Sequence, residues 1–160
     1  MRKAAFFDRD GTINEDIGYL HRKEDLLLIP QTVELIKHYN EIGWPVVVIS
    51  NQSGIARGMF SQQEVDELHR YINKVLEDKY EAHIDAFYIC PHLPEITGEC
   101  DCRKPKPGML IRAAKELDLD LSESVSYGDS ERDEIASKAA GIKEFHYIKK
   151  NGITESFTDD

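Results

Sequence analysis

Two aspartates separated by one residue lie near the start of the sequence, directly after a short apolar run. Residues 4–7 (Ala-Ala-Phe-Phe) are typical of a strand buried on both faces, and Asp8 and Asp10 follow them. Side chains two residues apart in an extended chain point the same way, so the carboxylates would repel each other unless a cation such as Mg²⁺ lay between them. The pair predicts a carboxylate nucleophile beside a carboxyl proton donor, with an acidic turn after a strand as the alternative.

Three more polar clusters follow later runs that resemble strands. Residues 50–54 (Ser-Asn-Gln-Ser-Gly) combine a hydroxyl group with the backbone N–H groups of a turn, which together could bind an oxyanion. An ordinary polar turn is the alternative. Residues 103–108 (Arg-Lys-Pro-Lys-Pro-Gly) lead into a helix, and their two prolines stiffen the backbone so that Lys104 would be held in place; a solvated basic loop is the alternative. Asp129 ends a fourth run with Asp133 four residues on, and either could simply cap a helix.

Apolar periodicity supplies the elements that must position these clusters. It predicts strands at about 3–8, 45–50, 84–90, 124–128 and 144–148, and helices at 31–43, from 61 onward, at 107–117 and at 130–140. Strands that alternate with helices predict an α/β fold with a doubly wound, Rossmann-like parallel sheet and helices on both faces. The carboxyl ends of such strands share one edge, where ligands bind, so the four polar clusters should meet there.

Length and charge limit the remaining possibilities. At 160 residues we expect a single domain over 1–150, with 151–160 as a flexible tail. The connection of about 20 residues between Gly11 and Pro30 is too short for a separate cap domain, which would need roughly 50. A formal net charge of −10 argues against a nucleic-acid or membrane partner, and no apolar run reaches membrane length. With no cleavable leader at the start, we expect a cytoplasmic monomer.

All three cysteines lie within residues 90–102, which we interpret as a zinc-binding loop. Cys90-Pro91-His92 and Cys100-Asp101-Cys102 offer three thiolates and one imidazole, the donors of a closed tetrahedral Zn²⁺ site. Such a site would be structural and would fold the loop that leads to Lys104. Independent cysteines are the alternative. The other histidines show no such arrangement, and we expect no special role for them.

The four clusters together resemble the motifs of the haloacid dehalogenase superfamily of phosphotransferases. The resemblance rests on Asp8-Arg9-Asp10-Gly11-Thr12, Ser50, Lys104 and Gly128-Asp129. It implies that Asp8 attacks phosphorus to form an aspartyl-phosphate, and that Asp10 protonates the leaving oxygen and then activates water. It also implies that Ser50 and Lys104 hold the phosphoryl oxygens, and that Asp8, the Asp10 carbonyl and Asp129 bind Mg²⁺. Asp133 would support these ligands from behind.

Longer segments narrow the resemblance. Asp-Arg-Asp-Gly-Thr-Ile-Asn, Asn-Gln-Ser-Gly-Ile-Ala-Arg-Gly, Cys-Pro-His and Cys-Asp-Cys-Arg-Lys-Pro-Lys-Pro-Gly-Met resemble the D-glycero-D-manno-heptose-1,7-bisphosphate 7-phosphatases over about residues 4–142. The histidinol-phosphate phosphatases share the zinc loop and most motifs. The implied substrate-binding residues are Asp16, Ile17, Gly18, Tyr19, Asn51, Gln52, Ser53, Arg57, Arg103 and Ser130. Ser130 departs from the pattern, because the heptose enzymes carry there a lysine that contacts substrate.

The expected function is therefore a Mg²⁺-dependent phosphatase that removes the 7-phosphate of a heptose bisphosphate. A histidinol-phosphate phosphatase is the nearest alternative, since Glu15 and Asp16 could receive an amine. A phospho-accepting receiver module has an acidic cluster and a lysine too, but its accepting aspartate lies on a middle strand and it needs no zinc loop. A zinc-bearing binding protein without catalysis is a further alternative.

Overall fold

The structure is a computed structural model that describes residues 1–149 and the backbone of 153–154. The strands are β1 Ala5–Phe7, β2 Val46–Asn51, β3 Ala86–Cys90, β4 Val125–Gly128, β5 Glu144–Lys149 and β6 Ile153–Thr154. The helices are α1 Pro30–Glu41, α2 Gln62–Val75, α3 Pro94–Thr97, α4 Gly108–Leu117 and α5 Glu131–Ala140. A π-type turn, Leu76–Tyr80, extends α2, and short 3₁₀ turns occupy Lys23–Asp25 and Leu121–Glu123.

The described strands form one sheet in the order β3-β2-β1-β4-β5-β6. Strands β1 to β5 run parallel, and the central β1 pairs with β2 on one side and β4 on the other. The chain moves outward from β1 to β3 and then returns to the far side of β1. This reversal creates a crevice between the carboxyl ends of β1 and β4, which is where doubly wound sheets bind ligands. The predicted fold class is confirmed.

Each face of the sheet is covered by helices. Side chains alternate along the strands, so Phe7 and Val48 join the core under α1 and α2 whereas Phe6 and Val47 join the core with α4 and α5. A buried parallel sheet needs both faces covered, which explains its continuous apolar strands. The packed sheet is the rigid platform from which the site loops extend.

The loop between β1 and α1 contains one 3₁₀ turn and buries Ile13, Leu20 and Ile29, in agreement with the absence of a cap domain. Within the segment predicted as a flexible tail, 151–160, residues 153–154 form β6 and pair antiparallel with residues 148–149. Residues 150–152 and 155–160 lie outside the described part of the chain. Among the described helices, none combines the length and apolar character needed to cross a membrane.

Candidate active site

Three carboxylates meet in the crevice at the centre of the sheet. Asp8 follows β1, Asp129 follows β4, and Asp133 lies in the first turn of α5; one oxygen from each falls within 4.8 Å of the others. We call this group the carboxylate cluster. Gly128 allows it to form, because a Cβ there would lie 2.5 Å from the Cβ of Asp133. The sequence motifs thus converge at the sheet edge as predicted.

Lys104 is the cation that balances this cluster. Its Nζ donates to Asp8 Oδ1 at 2.8 Å, to Asp133 Oδ1 at 2.6 Å and to the carbonyl oxygen of Ile49 at 2.9 Å. Burial by itself lowers the pKa of Lys104, but Asp8 and Asp133 more than offset this and raise the pKa above its ordinary value. Lys104 is therefore a fixed ammonium group and not part of a solvated loop.

The nucleophile candidate, Asp8, is hard to ionise in the absence of a metal. Burial raises its pKa well above the ordinary value, Asp133 and Asp129 raise it further, and Lys104 acts in the opposite direction. The pKa of Asp129 is likewise raised, first by burial and then by Asp133. Three carboxylates against one ammonium leave a formal charge of −2, which a divalent cation with a preference for oxygen ligands would neutralise. The residues present therefore fit Mg²⁺.

Asp133 holds a middle position in this group. Its Oδ1 accepts from Lys104, and its Oδ2 accepts from the Ser130 hydroxyl at 3.0 Å and from the backbone N–H groups of Asp129 and Ser130 at 3.2 Å. Both oxygens are therefore occupied, which suits the supporting role implied by the resemblance. Its role beside the metal stays a prediction.

Asp10 lies in a different environment although it is only two residues from Asp8. Its Oδ1 accepts from Arg9 Nε at 3.1 Å, Arg9 Nη2 at 3.0 Å and Asn14 Nδ2 at 3.0 Å. Its Oδ2 accepts from Gln52 Nε2 at 3.0 Å and, at 3.2 Å, from Arg9 Nη2. Gly11 turns the chain here with φ 87°, in the left-handed region that favours glycine. Asp10 is thus held in place by its neighbours, and its side chain stays outside the carboxylate cluster.

Residues at the carboxyl end of β2 hold the backbone of Lys104 in place, a role that the sequence did not predict for them. Asn51 brackets the backbone of Lys104: its Oδ1 accepts from the Lys104 N–H at 2.9 Å, and its Nδ2 donates to the Lys104 carbonyl at 3.2 Å. Gln52 Nε2 donates to the Ser50 hydroxyl at 2.7 Å as well as to Asp10. The predicted oxyanion turn therefore also fixes the lysine and the acid.

A cleft of about 570 Å³ opens over these groups. Its walls are formed by Asp8, Asp10, Asp16, Gly18, Tyr19, Asn51, Gln52, Ser53, Arg57, Arg103, Lys104, Asp129, Ser130, Arg132 and Asp133. Two residues predicted for the site are outside this wall. Ser50 is buried and bonded to Gln52, and the side chain of Ile17 is directed to solvent, with 51% of it exposed.

Sequence reasoning missed Arg132, which lines the cleft from the first turn of α5. Among the described residues, none hydrogen bonds to the guanidinium of Arg132, whereas Arg57 lies 5.9 Å from the Tyr19 ring and Arg103 donates to the carbonyl of His92 at 3.3 Å. The available signal was a basic residue in the first turn of a helix that begins at a site strand end. That signal is weak, because most such residues face solvent.

The three cysteines come together beside the cleft. Cys90 Sγ lies 2.7 Å from Cys102 Sγ and 3.6 Å from Cys100 Sγ, and all three sulfurs lie within 4.8 Å of one another. Burial raises the pKa of Cys90 and Cys102, so these thiols need a cation to be thiolates. This cysteine cluster is compatible with a structural zinc ion. His92 is outside the group, so its assignment as the fourth ligand stays a prediction.

Comparisons with known proteins agree with this geometry. A family model described as haloacid dehalogenase-like hydrolase matches residues 7–141. A D-glycero-beta-D-manno-heptose-1,7-bisphosphate 7-phosphatase of Haemophilus ducreyi is 42% identical over 146 residues, 89% of this chain and 80% of the relative. A D-glycero-alpha-D-manno-heptose-1,7-bisphosphate 7-phosphatase of Photorhabdus laumondii is 35% identical over 163 residues, 99% and 88% of the two chains.

One solved structure is similar over most of its length. It is a D,D-heptose 1,7-bisphosphate phosphatase from B. bronchiseptica, crystallised with magnesium and phosphate. It has a TM-score of 0.81 and 32% identity, and the match covers 92% of this chain and 79% of that one. Taken with the family model, these similarities mean that the chain belongs to the haloacid dehalogenase-like hydrolase family.

Proposed function

We propose that this protein is a Mg²⁺-dependent phosphatase that removes the 7-phosphate of D-glycero-D-manno-heptose 1,7-bisphosphate. The observation that carries the proposal is the carboxylate cluster, in which Asp8 is bonded to Lys104 at 2.8 Å and faces a polar cleft. A carboxylate beside a fixed ammonium group and a metal site is suited to attack phosphorus. The choice of a heptose bisphosphate as the substrate rests on the names of the relatives.

In the first step, a carboxylate oxygen of Asp8 forms a bond to phosphorus while the bond from phosphorus to the sugar oxygen breaks. Asp10 gives its proton to that departing oxygen. Oδ1 of Asp10 accepts three N–H groups and Oδ2 accepts two, so we assign the proton to Oδ2, the less occupied oxygen. The products of this step are the free sugar hydroxyl and an aspartyl-phosphate on Asp8.

In the second step, water attacks the phosphorus and the bond to Asp8 breaks. Asp10, now ionised, takes the proton of the attacking water, which restores both carboxyl groups and releases inorganic phosphate. Lys104 holds its ammonium group against Asp8 and Asp133 throughout, so it can stabilise negative charge on the phosphoryl oxygens without moving. Mg²⁺ bound by Asp8, the Asp10 carbonyl and Asp129 would neutralise further charge on those oxygens.

The remaining cleft cations favour a substrate with a second anionic group. Arg57, Arg103 and Arg132 line the cleft in addition to Lys104. A bisphosphate offers them a second phosphate, whereas the amine of histidinol phosphate would be repelled by them. The cleft therefore supports a heptose bisphosphate over histidinol phosphate.

The proposal also includes a structural metal ion, a cellular compartment and an oligomeric state. Three cysteines with sulfurs within 4.8 Å of one another suit a zinc ion in a reducing compartment, because oxidation would pair two of them. We therefore infer a structural Zn²⁺ and a cytoplasmic location. We also propose a monomer, which sedimentation equilibrium at two protein concentrations would test.

The decisive experiment measures phosphate release by the purified protein with Mg²⁺. The panel contains both anomers of heptose 1,7-bisphosphate, histidinol phosphate and hexose monophosphates. We expect a kcat/KM at least tenfold higher for one heptose bisphosphate anomer than for any other compound. A preference for histidinol phosphate would support the alternative enzyme. Phosphorylation of Asp8 without turnover would instead indicate a receiver module.

A further inference from the structure

A buried chain of hydrogen bonds connects Asp10 with α2. Arg9 has no exposed surface, although Asp8 and Asp10 on either side of it line the cleft. Neighbouring residues of an extended segment point in opposite directions, so the spacing that directs the two acids into the cleft directs Arg9 into the interior. A guanidinium removed from water is costly unless its N–H groups are paired. The partners of Arg9 are therefore essential to its placement.

Arg9 bridges three parts of the chain. Its Nε and Nη2 donate to Asp10 Oδ1 at 3.1 and 3.0 Å. Nη2 also donates to the carbonyl of Leu20 at 3.1 Å, and Nη1 lies 3.2 Å from Nε2 of His69. The guanidinium is planar, so a bond at its Nη1 end restricts the orientation of the end that contacts Asp10. His69 is thus connected to the general acid through one rigid group.

His69 is suited to accept this bond. It is buried in α2, and its ring stacks on Phe87 with centroids 4.1 Å apart and an interplanar angle of 12°. Burial and, to a smaller extent, the charge of Arg9 lower the pKa of His69 to about 3. The ring is therefore neutral at physiological pH, and its unprotonated Nε2 faces a cation that can only donate. The two-step reaction described above makes no use of His69.

We propose that His69 is a positioning residue for proton transfer, acting through Arg9 to hold the Asp10 carboxyl group with Oδ2 toward the leaving oxygen. The proposal rests on the proposed phosphatase activity. Proton transfer depends steeply on the distance and alignment of donor and acceptor. Without the acceptor at Nη1, the guanidinium can tilt and the carboxyl group can move with it. The loss should therefore depend on how much the leaving group needs a proton.

The test compares two substrates that differ in leaving group. The leaving group of a sugar phosphate is an alkoxide and requires the proton from Asp10. The leaving group of p-nitrophenyl phosphate is a stable phenolate and does not. His69→Leu removes the acceptor but keeps an apolar side chain against Phe87. We expect it to lower kcat/KM, which reports only the steps up to release of the leaving group, about tenfold on the sugar phosphate and less than about twofold on p-nitrophenyl phosphate. His69→Gln retains an acceptor near the position of Nε2 and should restore most of the loss.

Two controls separate positioning from packing. Phe87→Leu removes the stacking partner and leaves the imidazole acceptor, so it should affect both substrates equally. If His69→Leu does not fold, His69→Asn replaces it, because the shorter side chain cannot reach Nη1, and the comparison is then with His69→Gln. Equal losses on both substrates in the acceptor-free variant, or no loss in a folded variant, would overturn the proposal.

A spectroscopic measurement distinguishes failure of this inference from failure of the proposed function. In the wild-type protein, imidazole ¹⁵N shifts should report an unprotonated Nε2 on His69 between about pH 5 and 8. A ring that protonates in this range would refute the contact with Arg9 even if the enzyme is active. Wild-type protein that hydrolyses neither substrate would refute the phosphatase assignment and, with it, any role for His69 in proton transfer.

Discussion

The carboxylate cluster and the cysteine cluster lie on either side of the Arg103–Lys104 segment, and they differ in origin and in charge balance. The carboxylate cluster brings residue 8, near the start of the sequence, together with residues 129 and 133, near its end. It includes a fixed cation, Lys104, and it opens into the cleft. The cysteine cluster collects residues 90, 100 and 102 from one loop, and none of the three lines the cleft.

This difference indicates two uses of a metal site. A cluster that faces a cleft and contains a potential nucleophile can bind substrate and do chemistry. A cluster of three thiols from one loop can close around zinc and stabilise that loop, which carries Lys104 to Asp8. Damage to the first cluster should therefore abolish turnover with the fold intact, and damage to the second should weaken the fold.

The largest effect is expected for Asp8→Asn. The amide cannot attack phosphorus, so kcat should fall at least about 10⁴-fold while the far-UV circular dichroism stays that of the wild type. Because burial raises the pKa of Asp8, removal of its charge should not destabilise the metal-free protein at neutral pH. Undiminished phosphate release would remove Asp8 from the role of nucleophile.

Asp10→Asn tests whether Asp10 acts as the general acid and base while Asp8 acts as the nucleophile. It should lower kcat on a sugar phosphate about 10²- to 10⁴-fold, because the leaving oxygen receives no proton and water is not activated. With p-nitrophenyl phosphate, rapid-quench measurements should detect a phosphorylated enzyme that hydrolyses slowly. Steady turnover without a burst would contradict the proposed second step.

Cys102→Ser should affect stability more than chemistry. We expect loss of the approximately one Zn²⁺ per chain and a fall of roughly 3 kcal/mol in unfolding free energy, or about 10 °C in Tm. The kcat of the remaining folded protein should fall less than about tenfold, because Asn51 also holds the Lys104 backbone. Elemental analysis and thermal unfolding measure both quantities.

His92→Ala in the same assays decides the fourth zinc ligand. Loss of zinc would assign His92 to the metal despite its place outside the cysteine cluster. Retention of zinc with an unchanged Tm would assign the fourth position to another group. Wild-type protein purified without chelators and found free of zinc would contradict the structural role of the cluster itself.

Arg132→Ala tests which charge binds the non-reacting phosphate. It should raise KM for the heptose bisphosphate about tenfold and leave KM for a monophosphate nearly unchanged, because only the bisphosphate carries the second anion. Arg70→Ala, an exposed arginine on α2, is the matched control. An equal effect of Arg132→Ala on both substrates would point to general attraction and not to a second phosphate site.

The smallest effect concerns the pH dependence of stability in the metal-free protein. Asp8 and Asp129 have pKa values raised by burial, so their contribution to stability is present below the ordinary carboxyl pKa and is lost as the pH rises through the raised values. Urea unfolding in a chelator should therefore give a lower free energy near pH 7 than near pH 5 from these two groups. Asp8→Asn should flatten that dependence, and an unchanged slope would contradict it.

Much of the fold could be predicted, because local patterns determine it. The β-branched run before Ser50 and the capping box at Ser61 each produce their element at the expected place. The edge shared by the strand ends follows from the alternation of strands and helices alone. Which side chains at that edge face the cleft cannot be predicted in this way, because their directions depend on side-chain packing. Ile17 is directed to solvent and Arg132 into the cleft for this reason.

The sequence by itself determined the order of strands and helices, the acids and lysine at the strand ends, and the local grouping of three cysteines. Only the tertiary structure decided that Lys104 pairs with Asp8 across 96 residues, that Asp133 shares this ammonium group, and that Arg9 reaches His69 across 60. Local patterns depend on interactions between near neighbours, whereas these pairs arise only when burial forces distant charged groups to find partners in the same small volume.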